Sequence, residues 1–474
     1  MLKGVRTLLA EQGTVNKSMI KHDQLNILAI IASATLLLSA CGGGAGDSGV
    51  RDDDPTRTLS SFDSSLRYQG TPGLESCSVQ DLNAWVEHDM RDYYIYYDQV
   101  PTVRPADFSD PRDLVAALRV QPDRFSGVAN TADQIARVEE GLAVGYGYWV
   151  AKNEAGELRF RNVRLESPMY EAGIRRGNQL LALNGIPVED LEAGQFREII
   201  DAGETTPPTF RVVLSNGTTE DLTVTPGEYT LFTSPTASYQ TLADGTRSGY
   251  LPITSFLDRT GSDVDFQLQW LIDQNVQRLV LDLRYNGGGR SFQAERVASQ
   301  LLGSDFDGAE YLRYEFNNKY ATDGFARRFE APELEFPVTS IAILATERSA
   351  SASEALINGL KPYTDVVVIG DTTSGKPFAS WRVDYCDLSL NAMRAITTNA
   401  NGVSVIDGIT PDCFVADEWL HESHEPEDAL HGAALDYFEN GTCNTTVLAK
   451  RRASPSGSGE GLVEAGYFDV PATE

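Results

Sequence analysis

Residues 340–360 read SIAILATERSASASEALINGL: an apolar run, a turn of small residues, then a helical run. Ser340–Ala345 has almost no polar residue on either face. That pattern predicts a strand covered on both sides, as in a parallel or mixed sheet under helices. Ser353–Leu360 carries apolar residues at helical spacing. The turn between them is Ser349-Ala350-Ser351-Ala352-Ser353-Glu354. Ser351 and Glu354 have capping-box spacing, which accounts for both as a helix start. The same place offers unpaired N–H groups and the positive end of a helix dipole, suited to a developing oxyanion.

Working outward, the same grammar repeats. Gly249–Ile253 starts a strand and Val264–Asn275 a helix. Leu279–Leu283 is a second buried strand, and a helix is expected over 291–302. Val366–Ile369 is a third buried strand. The fold class is therefore α/β, in a chain long enough for more than one domain.

Each buried strand runs into an unusual loop. After Leu279–Leu283 comes Arg284-Tyr285-Asn286-Gly287-Gly288-Gly289, whose glycines expose backbone N–H groups. It lacks the Lys-Ser/Thr ending of a phosphate-binding loop, which leaves oxyanion stabilisation. After Val366–Ile369 comes Gly370-Asp371-Thr372-Thr373-Ser374-Gly375-Lys376. A lysine acts as a base only when its pKa is lowered, and burial behind a strand does that. The chain has eight lysines (3, 17, 21, 152, 319, 361, 376 and 450), so candidates are few. Histidine offers no rival: His22 and His88 lie far from these loops, and His421, His424 and His431 lie in an acidic segment that reads as surface. No Gly-x-Ser-x-Gly elbow occurs.

Together these loops resemble the carboxyl-terminal processing, or tail-specific, proteases over roughly residues 140–415. Leu281-Asp282-Leu283-Arg284 with Asn286 and the glycines, Ser349–Glu354, Gly375-Lys376, and Gly408-Ile409-Thr410-Pro411-Asp412 match that family's motifs in order. The resemblance implies a spiral α/β core of the ClpP or crotonase kind over residues 229–450. It implies a Ser351 nucleophile, a Lys376 general base, and oxyanion donors at Ala352 and at Gly288 or Gly289. Thr373 and Glu354 match family positions that support the site. A glutamine that orients the lysine is usual four residues after it; here Ser380 stands in that place. The resemblance implies no cofactor. A catalytically inactive scaffold that binds protein C-termini is the competing reading.

Residues 141–228 resemble a PDZ domain. Gly145-Tyr146-Gly147-Tyr148 looks like its carboxylate-binding loop, and Ser167-Pro168, Ala172-Gly173-Ile174, Arg176-Gly177-Asn178 and Leu183-Asn184-Gly185-Ile186 follow in the family's order. Such a domain adds a peptide as an extra strand and holds its free carboxylate on backbone N–H groups. Residues 77–140 read as an N-terminal helical region, with helices at Pro111–Val120 and Thr131–Glu140. Residues 451–474 read as a disordered tail.

The net charge of −29 argues against nucleic-acid binding. Residues 1–40 read as a secretory signal whose apolar core is Leu25–Leu38. Leu38-Ser39-Ala40-Cys41 looks like a bacterial lipobox, which would lipidate Cys41. The expected location is the cell envelope, anchored to a membrane and facing the periplasm, with residues 41–76 as a tether. Cys77, Cys386, Cys413 and Cys443 lack metal-ligand spacing and suggest disulfides, with Cys386–Cys413 the favoured pair.

Overall fold

The structure is a computed structural model that describes residues 71–443 other than 72, 154 and 337. The signal, Cys41, most of the tether and the tail therefore lie outside the described residues. The N-terminal region contributes α1 (Val79–Asp92), α2 (Pro111–Leu118), β1 (Gly127–Asn130) and α3 (Thr131–Val138). Ser78 and Asp110 cap α1 and α2 through their side chains, and Pro111 opens α2 at a position where a missing N–H costs nothing. The region is not purely helical. β1 pairs antiparallel with a strand near the end of the chain and so belongs to that strand's sheet.

A small β unit follows: β2 (Leu142–Gly145), β3 (Tyr148–Lys152), β4 (Leu158–Val163), α4 (Pro168–Glu171), β5 (Gln179–Leu183), β6 (Ile186–Pro187), α5 (Gln195–Asp201), β7 (Thr209–Val213), β8 (Thr219–Thr223) and β9 (Gly227–Thr230). Its main sheet runs β3-β4-β5-β7-β8, with β6 on β5, so β3 is an edge strand. Tyr146, Tyr148, Phe160, Leu180, Phe196 and Phe210 form its own apolar core.

The remaining elements are β10 (Ser238–Thr241), β11 (Arg247–Pro252), α6 (Thr260–Asp273), β12 (Arg278–Asp282), α7 (Ser291–Leu302), β13 (Glu310–Phe316), β14 (Phe325–Arg328), β15 (Ser340–Ala345), α8 (Ala352–Leu360), β16 (Val366–Gly370), β17 (Phe378–Tyr385), β18 (Leu388–Asn399), β19 (Cys413–Phe414) and α9 (Ala429–Asn440). The central sheet runs β10-β11-β12-β15-β16-β19, parallel from β11 onward. Period-two alternation sorts its side chains. Leu279, Leu281, Ile341 and Ile343 pack with α6, α7 and α8, whereas Val280, Ala342 and Leu344 pack against Leu430 and Ala434 of α9. Both faces are covered, as the unbroken apolar strands require. The result is a mixed, multi-domain α/β molecule. A second, antiparallel sheet runs β1-β18-β13-β14 with β17 on β18. Trp85, Met90 and Leu114 of α1 and α2 pack on Phe378, Val383 and Leu390 of its hairpin.

The disulfides correct the expected pairing. Cys77 joins Cys386, with Cα atoms 5.9 Å apart, and Cys413 joins Cys443 at 5.6 Å. Cys386 lies at the tip of the β17–β18 hairpin, facing the start of α1, while Cys413 lies on β19 of the central sheet. Nearness in sequence misled because the chain changes sheets between them.

Among the described residues no helix is long and apolar enough to cross a membrane.

Candidate active site

β12, β15 and β16 are neighbours in the parallel sheet, and the three unusual loops all leave their carboxyl ends. That edge of an open α/β sheet is where ligands bind, because the loops there converge. Ser351 begins α8 with φ 54° and ψ −115°. A non-glycine residue held there carries backbone strain on the order of 1–3 kcal/mol. It turns the chain sharply from strand to helix and leaves Ser351 half-buried at the corner. The flanking Ala350 and Ala352 are small enough for the close packing this demands.

The Gly-rich loop lies directly against this corner. A Cβ on Gly288 would come within 2.7 Å of the Ser351 Cβ and 2.9 Å of the Ala352 nitrogen, so only glycine fits. A Cβ on Gly289 would meet the Phe256 carbonyl oxygen at 2.0 Å. Asn286 organises the loop: its amide donates to the Ile253 carbonyl at 2.8 Å and its oxygen accepts from the Gly288 N–H at 2.9 Å. The Gly288 N–H is thus committed to Asn286 in this state, which leaves Gly289 and Ala352 as the backbone candidates for an oxyanion.

One buried carboxylate joins the serine turn to the lysine loop. Glu354 Oε2 accepts from Ser351 N–H at 3.0 Å and Lys376 N–H at 2.8 Å. Its Oε1 accepts from Gly375 N–H at 2.7 Å and from the Thr373 hydroxyl at 2.5 Å. Burial pushes this carboxyl above its usual range, opposed by those four bonds. Thr373 Oγ1 also accepts from Ile409 N–H at 2.7 Å, which ties in the Gly408–Asp412 motif.

Lys376 is half-buried. Burial lowers its pKa to about 8, against the opposing pull of Asp123 and Glu354. Its Nζ lies 4.8 Å from the centre of the Phe125 ring. Among the described residues no hydrogen bond joins Lys376 Nζ to Ser351 Oγ. Ser380 sits exposed on β17, opposite Met393 and next to a register shift, and makes no hydrogen bond to Lys376. Phe125 and Asp123 were not legible as site residues. They lie about 250 positions upstream of the lysine (376 − 125 = 251), in no motif.

His431 corrects another expectation. It is fully buried rather than on the surface, packed on Tyr250 with ring centres 5.0 Å apart. Burial, then the nearby Arg284, lowers its pKa to about 4, so it is neutral. Its hydrogen bonds go to Glu425 and Asp428, away from Ser351.

The small β unit touches this site through a buried ionic cluster. Arg284 bonds Asp282 at 2.9 Å and Asp428 at 2.9 Å. Arg176 bonds Asp417 at 2.9 Å, Asp428 at 3.2 Å and the Tyr285 hydroxyl at 2.8 Å. Arg161 bonds Asp417 at 3.1 Å and stacks among Trp149, Tyr285 and Trp419. Burial pushes Asp417 up, but Arg176, Arg284 and Arg161 hold it well below the usual carboxylate range.

Gly145, Tyr146, Gly147 and Tyr148 lead into edge strand β3. Gly147 (φ 73°) allows no side chain, since a Cβ would lie 2.2 Å from the Ser167 Cβ. Tyr146 and Tyr148 both pack on Phe210 inside the unit. Trp149, pointing the other way, meets Tyr285 at 5.6 Å and Arg348 at 3.8 Å, beside the serine turn.

The model of peptidase family S41 matches residues 247–415, and that of the peptidase S41 N-terminal domain matches residues 81–127. The chain is 28% identical over 275 residues to carboxyl-terminal-processing peptidase 3, chloroplastic, of Arabidopsis thaliana, covering 56% of this chain but only 51% of that one. It is 24% identical over 308 residues to the carboxyl-terminal-processing protease of a Synechocystis strain, covering 64% of this chain and 70% of that one. A crystal structure of a protein assigned to the S41 proteases, from Bacteroides fragilis, superposes with a TM-score of 0.63 at 21% identity, over 76% of this chain and 97% of that one. The likeness to that structure shows the shared fold. The two family matches lie on the strand-end loops and on the region that packs against them, so it is peptidase family S41 that these parts of the chain resemble.

Proposed function

We propose that this protein is a serine endopeptidase that cleaves exported proteins, with Ser351 as nucleophile and Lys376 as general base. The observation that carries the reading is a strained serine joined by the Glu354 carboxylate to the loop of a half-buried lysine whose pKa is lowered to about 8. Neutral Lys376 takes the proton from Ser351 Oγ as that oxygen attacks the peptide carbonyl. The oxyanion is held by Ala352 N–H and Gly289 N–H; losing one such donor costs about 3 kcal/mol in the barrier. The C–N bond then breaks, and the leaving amine takes the proton from Lys376. Water, deprotonated by the same lysine, releases the acyl group and restores the serine.

Residues 141–228 are proposed to act as a PDZ domain. A substrate's C-terminal segment adds to the open edge of β3, with its carboxylate at the Gly145–Tyr148 turn. The alternation along β3 supports this, because Trp149 sets the strand beside the serine turn. Cys41 is proposed as the lipidated anchor to a membrane, with the enzyme facing the periplasm. Degradation of an unfolded lactalbumin probe by the full chain tests the activity, and equal turnover after Ser351→Ala would sink it. Free-acid and amidated versions of one peptide test the tail recognition: equal binding would remove it. The scaffold reading is favoured by one observation, the missing Ser351–Lys376 hydrogen bond. Binding of the free-acid peptide without labelling of Ser351 by a fluorophosphonate would establish that reading instead.

A further inference from the structure

The lysine is expected to have an orienting partner four residues on, yet Ser380 is exposed and unbonded to it. What surrounds the amine comes from elsewhere. Phe125 places its ring 4.8 Å from Lys376 Nζ. The ring is held from behind by Asp123, buried, whose Oδ1 accepts from the backbone N–H of Phe125 at 2.7 Å and of Ser126 at 2.9 Å. Asp123 Oδ2 accepts from the Tyr94 hydroxyl at 2.8 Å, which fixes the loop to the end of α1. Arg124 Nη2 donates to the carbonyl and hydroxyl of Ser374, both at 2.9 Å, two residues before the lysine. Ser126 Oγ accepts from Met393 N–H at 3.0 Å, which pins the loop to β18. Every residue of 123–126 is therefore bonded to the lysine loop, to the sheet beneath it or within the turn itself.

We propose that the loop Asp123–Ser126 of the N-terminal region is the positioning element of the general base, with Phe125 covering the Lys376 amine and Asp123 holding both the ring and a negative charge near it. The proposal rests on the Ser351–Lys376 reading above. It gives the N-terminal region a role in the chemistry and supplies what Ser380 does not. The charged groups that act on the amine are Asp123 from this loop and Glu354 from α8; Arg124 bonds the lysine loop at Ser374, and Tyr94, from the segment after α1, bonds Asp123. Glu354 accepts from the lysine's backbone N–H and its charge also favours the ammonium form.

The two side chains act on the amine in opposite directions. Phe125 keeps water away, which disfavours the ammonium form; Asp123 favours it through its charge. Removing the ring raises the lysine pKa, and removing the charge lowers it further. The test follows the rate of fluorophosphonate labelling of Ser351 in the full-length protein across pH. In Phe125→Ala the acid limb should move up by about one pH unit, and in Asp123→Asn down by about half a unit. Asn keeps the acceptor for the turn, so its melting temperature should stay near that of the unaltered protein. Phe125→Leu keeps the apolar cover and should return the limb most of the way; it serves if Phe125→Ala folds poorly. Limbs that stay in place, or that move together, overturn the positioning role. Labelling of Lys376→Ala at the unaltered rate would instead overturn the underlying base assignment, and with it this proposal.

Discussion

Two buried polar clusters flank the Ser351 turn, one after β12 and one after β16, and they obey opposite rules. In the first, Arg161, Arg176 and Arg284 meet Asp282, Asp417 and Asp428, each guanidinium within 3.4 Å of a carboxylate. In the second, among the described residues, no carboxylate forms an ion pair with the Lys376 amine, and its Nζ lies 4.8 Å from the centre of the Phe125 ring. Desolvation acts on both. Where opposite charges match, their attraction opposes it, and the three guanidinium groups hold Asp417 well below the usual carboxylate range. Where no ion pair forms, burial lowers the pKa to about 8, as the proposed general base requires. The first cluster binds three parts of the chain together; the second leaves its amine without an ion pair among the described residues.

The contrast breaks most directly at the chemistry. Ser351→Ala and Lys376→Ala should each lower turnover of an unfolded substrate by at least about 10³-fold. Unchanged near-UV circular dichroism would show that both still fold. On the paired side, Arg284→Met should destabilise by about 3–5 kcal/mol, because it strands buried carboxylates. A urea midpoint equal to that of the unaltered protein would show the cluster to be slack. The same change on the unpaired side, Lys376→Met, should leave the midpoint unchanged or raise it. A large loss there would erase the distinction between the clusters.

The link that holds the N-terminal region near the lysine comes next. Replacing Cys77 and Cys386 with serine should cost about 2–4 kcal/mol, read as a lower melting temperature. It should loosen the loop that carries Phe125. The sign of the pH dependence sharpens the picture further. In the proposed mechanism the base works when neutral, so acylation should rise through a midpoint near pH 8 and fall about tenfold per unit below it. A midpoint near 6 would point to a histidine or carboxylate instead. The smallest effect is Ser351→Gly, which should relieve the backbone strain and stabilise by about 1 kcal/mol while abolishing labelling.

Much of this was legible from local pattern. Strand 340–345 and helix 291–302 fall where their periodicity places them. The strand-end position of Ser351, Lys376 and the glycines followed from apolar runs meeting small residues. His431 was misread because Glu and Asp neighbours resemble a solvated surface, whereas here Asp428 caps α9 and pairs with buried arginines. The cysteines were misread because sequence distance says nothing about which sheet a strand joins.

The sequence by itself determined the α/β class, the three loops and the residues able to do chemistry in them. These rest on short-range rules: alternation, capping and glycine's freedom at positive φ. Only the tertiary structure decided the environment of the lysine. Its lowered pKa depends on what covers it, and the cover is Phe125, brought from 251 residues upstream (376 − 125) when α1, α2 and β1 pack on the β17–β18 hairpin. Burial is a property of the folded surroundings, so no spacing within the loop could reveal it.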